Sequence, residues 1–488
     1  MNDYQKHSYM RLPHQRTAAK NLAAAVAAAC LLSACSLTPK MPMEPMPVPM
    51  AWKTAAPAAG WVSADQARTW AQGQWWRLFD DPVLHGLVER VDLSNQNLKA
   101  AAANVAQAQA LLRQQQAELL PQLGAQLGQQ RSGGDNRATT GSASLNLNAS
   151  WAPDVWGRIA SAVDAQSASV QASQADLAGA RLNAQASLAA AYFALREADA
   201  EIALMDEIIA SYQRNAKITQ NRYDVGVVPR TDTFQAQSTL RNAQATRVAL
   251  QRSRATYEHA IALLVGEAPA GFSLAPAPWV AAVPAVPTEL PSLLLLRRPD
   301  IAGAERAVTA ANAQIGVARS AYFPNLSLSA GLGAGGSSLA NLVSAPSLLW
   351  SLGVALAQTV FDAGARDARV DQTLAARDAA VARYRQAALT GMKEVEDQLT
   401  ALATLAAQTE HVRAAAEAAE RIEQQQMNRY QSGLTSYTDV VTAQASALSA
   451  RRSLLQLQQQ RQQAAVSLIQ ALGGGWQAPW TVPPAVAE

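Results

Sequence analysis

Apolar and polar positions alternate with two different periods along this chain, and the changes of period mark its elements. Asp81-Pro82 reads as a helix start, with Leu84, Leu87 and Val88 on one face. An Ala/Gln-rich helical segment follows from Asn95 to Leu119, and Pro121 stops it. After Pro121 the period falls to two. Leu123, Ala125 and Leu127 alternate with Gln122, Gly124, Gln126 and Gly128. A polar loop over 131–141 (RSGGDNRATTG) leads to a second such run, where Leu145, Leu147, Ala149 and Trp151 oppose Ser144, Asn146, Asn148 and Ser150. Two more runs come later. Leu326, Leu328, Ala330 and Leu332 oppose Ser327, Ser329 and Gly331; Trp350, Leu352, Val354 and Leu356 oppose Ser351, Gly353 and Ala355.

Runs of about ten residues, apolar on one face and small or polar on the other, are the pattern of transmembrane β-strands. A soluble antiparallel sheet with one wet face would show the same alternation; Trp151 and Trp350 favour the membrane reading. Four strands cannot close a barrel, and lipid does not tolerate open edges. The chain is therefore expected to oligomerise. A dimer would give a plugged barrel of about eight strands, a trimer one of about twelve, wide enough to conduct. The Gly, Ser and Asn on the second face favour the wet, trimeric option.

The remaining pattern is helical and very long. Between Ile159 and Tyr223 there is no Pro, and Ile159, Val163, Val170 and Leu177, then Leu188, Tyr192, Leu195 and Ile202, fall at heptad-like spacing. Such a helix spans roughly 95–100 Å. A returning helix is predicted over Phe234 to Leu264, and a second hairpin from Asp367 through Gly433 to Leu472.

The two hairpins repeat each other. RYDVGVVPRTD begins at Arg222, and RYQSGLTSYTD begins 207 positions later at Arg429. Gly226 matches Gly433, Asp232 matches Asp439, and Gly266 matches Gly473; LLPQLGAQL (from Leu119) matches YFPNLSLSA (from Tyr322). A duplication of this kind builds one unit twice. Both turn glycines are expected in the left-handed region. Asp232 and Asp439 are placed to cap the returning helices.

The first residues read as a targeting segment. A basic region (Lys6, Arg11, Arg16, Lys20) precedes the apolar run from Leu22, which is too short to span a membrane. The run ends in Leu32-Ser33-Ala34-Cys35, which resembles the lipobox of bacterial lipoproteins. That resemblance implies removal of 1–34, diacylglycerol on the Cys35 thiol and an acyl chain on its freed amine. Ser36 fits sorting to the outer membrane. No other cofactor is expected. Residues 35–74 then form an acylated tether, whose Met41, Met43, Met46 and Met50 read as part of a Pro-rich spacer rather than a metal site.

Charge and composition narrow the function. Of the 40 Lys/Arg and 37 Asp/Glu, the leader removes four and one, leaving a formally neutral mature chain with no nucleic-acid partner implied. Cys30 and Cys35 are the two cysteines, so no disulfide is expected. His7, His14, His85, His259 and His411 are scattered, and no nucleophile–base or metal-ligand spacing appears. The chain does not read as an enzyme.

Several segments resemble a known family. LLRRPDIAGAERAVTAANAQIGVARSAYFPNLSLS (from Leu295), QWWRLFDDP, WAPDVWGR (from Trp151), FDAGAR (from Phe361), VEDQL (from Val395) and the closing LGGGW are similar to motifs of bacterial outer-membrane factors, the TolC-like superfamily. The lipobox and the motif wording resemble its NodT-type lipoprotein branch. The resemblance covers essentially the whole mature chain. It implies a mainly α fold with a transmembrane β-barrel portion: four strands per chain in a trimeric twelve-stranded barrel, continued by a helical periplasmic tunnel. It divides the chain into a leader (1–34), tether (35–74), first repeat (75–270), Pro-rich linker (271–291), second repeat (292–476) and tail (477–488). The implied function is the exit duct of a tripartite efflux pump, working with a periplasmic adaptor and an inner-membrane transporter of the resistance-nodulation-division type. Drugs are the expected cargo, with copper or silver efflux, or type I protein secretion, as alternatives. A structural coiled-coil tether is a more distant reading.

The same resemblance gives the turns a role at the periplasmic mouth. Tyr430 and Asp439 match the aperture, where three Asp439 carboxylates would form an acidic ring. Val225, Gly226, Val227, Gly433 and Leu434 match adaptor-docking tips. Thr435 and Thr442 stand where the family often carries a basic residue and a second Asp, so Tyr430 and Tyr437 are expected to join the closing network.

Overall fold

A computed structural model describes residues 37–40, 48–54, 73–135, 137–284, 297–344 and 347–480. The leader and Cys35 lie outside the described residues. The elements are α1 (Pro82–Ser94), α2 (Gln96–Ala117), β1 (Gln122–Gly134), β2 (Arg137–Trp151), α3 (Arg158–Asp224), α4 (Arg230–Leu264), α5 (Pro299–Ser320), β3 (Asn325–Gly336), α6 (Leu339–Ser344), β4 (Ser347–Ala357), α7 (Ala365–Gln431) and α8 (Tyr437–Ala471). The duplication extends to element lengths: α2 and α5 each have 22 residues, α3 and α7 each 67, α4 and α8 each 35. The compact units nevertheless cut across the repeats. One contains 106–171 and 305–383, the other 45–105, 172–304 and 384–488.

The first unit holds a four-stranded antiparallel sheet in the order β1-β2-β3-β4. Its register aligns the alternation of all four strands. Leu123 faces Ala149, Ala149 faces Ala330, and Ala330 faces Leu352; Leu127, Leu145, Ala334 and Leu348 form a second such row. The result is one apolar face, and its β4 residues Trp350 and Leu352 are 77% and 78% exposed on the single chain. The opposite face carries rows such as Gly124–Asn148–Gly331–Ser351. Glycine is needed there for space, since a Cβ at Gly333 would lie 2.9 Å from Asn146 Oδ1. Leu349 breaks the polar pattern, pairing with Gly333.

The stretch expected as a polar loop over 131–141 is mostly strand. Arg131 pairs with Gly141 and Ser132 with Thr140. Its Gly, Ser and Asp look like turn chemistry, but in a hairpin the backbone ladder continues wherever register is kept, whatever the side chains.

Two motifs act as corners between strand and helix. Asp154 of WAPDVWGR accepts from the Ile159 and Ala160 amides at 2.9 and 2.7 Å, satisfying free N–H groups at the start of α3. Asp362 of FDAGAR does the same before α7, accepting from the amides of Gly364 and Arg366. Trp156 stacks on Phe323, with ring centroids 4.9 Å apart, and donates to Pro324 O.

The second unit carries the large core. Trp75, Leu84, Val88, Leu195, Val395, Leu399, Leu468 and Ile469 meet there. QWWRLFDDP supplies its edge: Asp81 caps α1 by accepting from Val83 N and Leu84 N through Oδ1, and its Oδ2 accepts from Tyr192 Oη at 2.6 Å. The described part of the Pro-rich linker meets α8, where Gln462 accepts from Trp279 Nε1 and donates to the carbonyls of Val280 and Ala282. A buried ion pair, Arg196 with Asp199 at 3.0 Å, also donates to the Ala275 carbonyl.

The tether segments that are described are held against the body. In the first unit, Thr38 Oγ1 bonds Ser161 Oγ, and Asn312 donates to Pro39 O. In the second, Thr54 N donates to Glu396 Oε2.

Candidate functional site at the hairpin turns

Both long hairpins turn in the same way. Arg222 to Val227 and Arg429 to Leu434 close Schellman motifs: Val227 N donates to Arg222 O at 2.8 Å and Gly226 N to Tyr223 O at 2.9 Å, while Leu434 N donates to Arg429 O at 2.9 Å and Gly433 N to Tyr430 O at 3.0 Å. Gly226 and Gly433 have φ of 77° and 75°, the left-handed conformation the repeat required. Val225, Val227 and Leu434 are 75%, 61% and 69% exposed beside them. Among the described residues these apolar tips join no buried cluster.

The two Asp residues behave differently from each other, and neither is the cap residue that the sequence suggested. Pro229 is the N-cap residue of α4 and offers no side-chain cap; Asp232 is the third residue of the helix. α8 is capped by Ser436, and Asp439 completes a capping box from the third helical position. The helices start earlier than expected because Ser436 is a favoured N-cap residue and Pro229, which has no N–H to satisfy, suits the residue just before a first turn. Asp439 Oδ2 accepts from Thr435 Oγ1, Ser436 N and Ser436 Oγ at 2.5, 3.2 and 2.8 Å. These donors hold the exposed carboxyl below the usual carboxylate range. Thr435 thus takes up Asp439 within the turn, whereas Thr442 bonds back to Thr438 O.

Tyr430 is corrected more strongly. The expectation put its side chain at an aperture beside Asp439, but it is only 3% exposed within the single chain, so the ring lines no opening. It stacks edge-on against Tyr437 at 5.0 Å and packs with Ala236 and Val440. Its hydroxyl donates to Asp232 Oδ2 of the first copy at 3.2 Å. Burial, followed by the Asp232 charge, raises the Tyr430 phenol; burial pushes Tyr437 up to about 12. Both stay neutral donors at physiological pH.

Arg222 was not singled out by sequence reasoning. Its Nη1 donates to the Tyr430 and Gln431 carbonyls at 2.8 and 3.0 Å, and its guanidinium lies 4.8 Å from the Tyr430 ring centroid. A cation at the C-terminus of α7 meets free carbonyls and the negative end of the helix dipole. The signal available was the repeated Arg-Tyr pair at the end of each long helix.

A family model described as "Outer membrane efflux protein" matches residues 87–267 and again 290–474, one match per repeat. The chain belongs to the outer membrane efflux protein family. Among curated relatives, the Pyoverdine export outer membrane protein OpmQ of Pseudomonas aeruginosa is 34% identical over 88% of this chain and 94% of its own length. The Cation efflux system protein CusC of Escherichia coli is 30% identical over 91% of this chain and 96% of its own. Among solved structures, the outer-membrane channel OprN superposes with a TM-score of 0.80 at 28% identity, covering 91% of this chain and all of OprN.

The efflux protein family places this chain in the outer membrane as a channel and not an enzyme. The strands, not the helices, carry its membrane-spanning part: among the described residues no helix is long and apolar enough to cross a bilayer, whereas the sheet presents a continuous apolar face.

Proposed function

We propose that three copies of this chain form one closed barrel of about twelve strands and that the channel is the exit duct of a tripartite pump. The supporting observation is the four-stranded sheet: its apolar face spans every strand, and β1 and β4 each keep one unpaired edge within the chain. Edges facing lipid must pair, and pairing β4 of one copy with β1 of the next closes a ring.

In this reading the inner partners are a periplasmic adaptor and an inner-membrane transporter of the resistance-nodulation-division type. The exposed tips Val225, Gly226, Val227, Gly433 and Leu434 receive the adaptor. Asp439, exposed and ionised, supplies an acidic ring at the periplasmic mouth; Tyr430 and Asp232 brace the hairpins behind it. Cys35 anchors the mature chain through its diacylglycerol and N-acyl chains. The cargo is a small molecule such as a drug. The relatives named for pyoverdine, cation and toluene export support small cargo over protein.

Native mass measurement in detergent, followed by planar-bilayer recording, tests the channel. A trimeric species with discrete cation-favouring conductance is expected. A crosslinking ladder that stops at the dimer, or an inert protein in the bilayer, overturns the reading.

A further inference from the structure

Two of the sequence motifs, QWWRLFDDP and the closing LGGGW, lie outside both the strands and the hairpin turns, and they meet. Together they line a cleft of about 1080 Å³ in the second unit, between α1, α2, the first half of α3 and the loop after α8. Gly473, Gly474 and Gly475 in that loop are all left-handed, with φ of 85°, 61° and 82°, a run that only glycine adopts freely. A Cβ at Gly474 would lie 2.5 Å from Leu182 Cδ1. The loop therefore lies close against α3 and brings the half-buried Trp476 to the same cleft as Trp76.

The wall of the cleft is braced from within. Arg181 donates to both oxygens of Asp92, at 2.8 and 2.5 Å, and Gln185 Nε2 donates to Asp92 Oδ1 at 2.9 Å. Gln185 Oε1 in turn accepts from Trp75 Nε1 at 3.3 Å. The charged lining residues are two carboxylates, Glu89 and Asp92, and two cations, Lys99 and Arg181, so the cleft carries no formal net charge. Several neutral groups there are unpaired. The side chains of Gln74, Gln174 and Gln477 make no hydrogen bond among the described residues. Trp76 is 5% exposed, and its buried Nε1 has no acceptor there either.

Such a lining suits a neutral ligand with a flat apolar face and a polar rim. Indole supplies broad apolar surface and one N–H donor. Each carboxamide offers two N–H donors and an acceptor oxygen, the set that hydroxyl and acetamido groups complete. An anion would meet two carboxylates and a cation two basic groups, so the balance of charge favours neither. We infer that the cleft binds a neutral saccharide bearing N-acetyl groups, with Trp476 stacked on a pyranose face and Gln174 and Gln477 bonded to its acetamido and hydroxyl groups. A cell-wall glycan strand and a free oligosaccharide share this chemistry. The inference is independent of the strand count and of the pump.

The test uses the full-length protein in detergent, with triacetylchitotriose as the probe, read by calorimetry and tryptophan fluorescence. Saturable binding with a change in fluorescence is expected. Trp476→Ala should weaken it about tenfold through loss of stacking. Gln174→Ala and Gln477→Ala should each weaken it by roughly two- to tenfold, the range for one lost hydrogen bond. A wild-type thermal midpoint shows that a variant is folded; if Trp476→Ala lacks one, the two Gln variants decide.

No saturable binding, or binding that the folded variants leave unchanged, overturns the site. Cellotriose carries a hydroxyl in place of each acetamido group and should bind more weakly; equal binding overturns the amino-sugar assignment. Isolated cell-wall sacculi separate the two sources. Protein that sediments with them and is released by triacetylchitotriose supports the site with a cell-wall strand as its ligand. Binding of triacetylchitotriose without sedimentation supports the site with a free saccharide instead.

Discussion

The Tyr430 hydroxyl donates to Asp232 Oδ2 at 3.2 Å, so a residue of the second repeat is held by a carboxylate of the first, 198 positions away. The bond is sheltered by the Tyr437 ring and by Arg222. Tyr430→Phe keeps the packing and removes the donor. It should cost about 0.5–1.5 kcal/mol and raise channel conductance, read from denaturant midpoints and bilayer recordings. Asp232→Asn should not add to its effect, because the two substitutions break one bond.

Asp439 should control cation block. Asp439→Ala removes one carboxylate per chain and the acceptor of the capping box, so conductance should rise and block by multivalent cations should weaken. An unchanged conductance and block would remove Asp439 from the gate. The pH dependence follows from its lowered titration point: the carboxylate, and the contribution of its hydrogen bonds to stability, persist above the ordinary value of 3.8 and are lost only as pH falls through a lower one. Block should therefore be flat from neutral pH down to about 4.

Two glycines at helix ends should differ sharply on mutation to Ala. Gly433 and Gly473 both have positive φ, 75° and 85°. A Cβ at Gly433 meets nothing within 4 Å, whereas one at Gly473 would lie 2.1 Å from the Arg297 carbonyl oxygen. Gly433→Ala should cost about 1–2 kcal/mol from left-handed backbone alone. Gly473→Ala should cost clearly more, since backbone must move. Yield and thermal midpoint of the two purified variants decide the order.

Glu197 should make the fold prefer mildly acidic conditions. Burial, with the charge and hydrogen bond of Glu201, pushes its carboxyl up to about 7, and Arg452 only partly offsets this. Glu201 is itself buried and bonded to Arg452 and Gln456. The folded chain holds a proton that the unfolded chain gives up above an ordinary value of 4.5. Stability from this group is thus fully present below 4.5 and is lost as pH rises through about 7. Glu197→Gln should flatten that slope in melts between pH 5 and 8.

Cys35→Ser should abolish labelling by radioactive or clickable palmitate and leave the leader uncleaved at the lipobox. Because a barrel holds itself in the bilayer, the variant should remain membrane-associated if exported through an ordinary signal peptide. Loss to the soluble periplasm would contradict barrel insertion.

Much of the architecture was legible in the order of residues. The helix expected over Ile159 to Tyr223 runs from Arg158 to Asp224, because no Pro breaks it and its apolar positions keep heptad-like spacing. The strands were legible because alternation has period two and register aligned every strand alike. Three things were not. The continuation of β1 and β2 through 131–141 depends on backbone pairing, which composition does not record. The six-residue helix α6 is too short to show a period. The partnership of Tyr430 with Asp232 is set by how two repeats pack, whereas the family resemblance grouped Tyr430 with Asp439.

The matched arm lengths, 67 and 35 residues in each hairpin, carry a constraint on how such a chain can change over generations. Arg222 reaches the last carbonyls of α7 only if both long helices end at the same height. Removing four residues from α3 alone would displace its tip by roughly 6 Å relative to the other, breaking every bond between the turns. Each arm is in effect a ruler for its twin. Insertions and deletions should therefore survive in these helices only in compensating pairs, while the hairpin loops between strands remain free to vary in size.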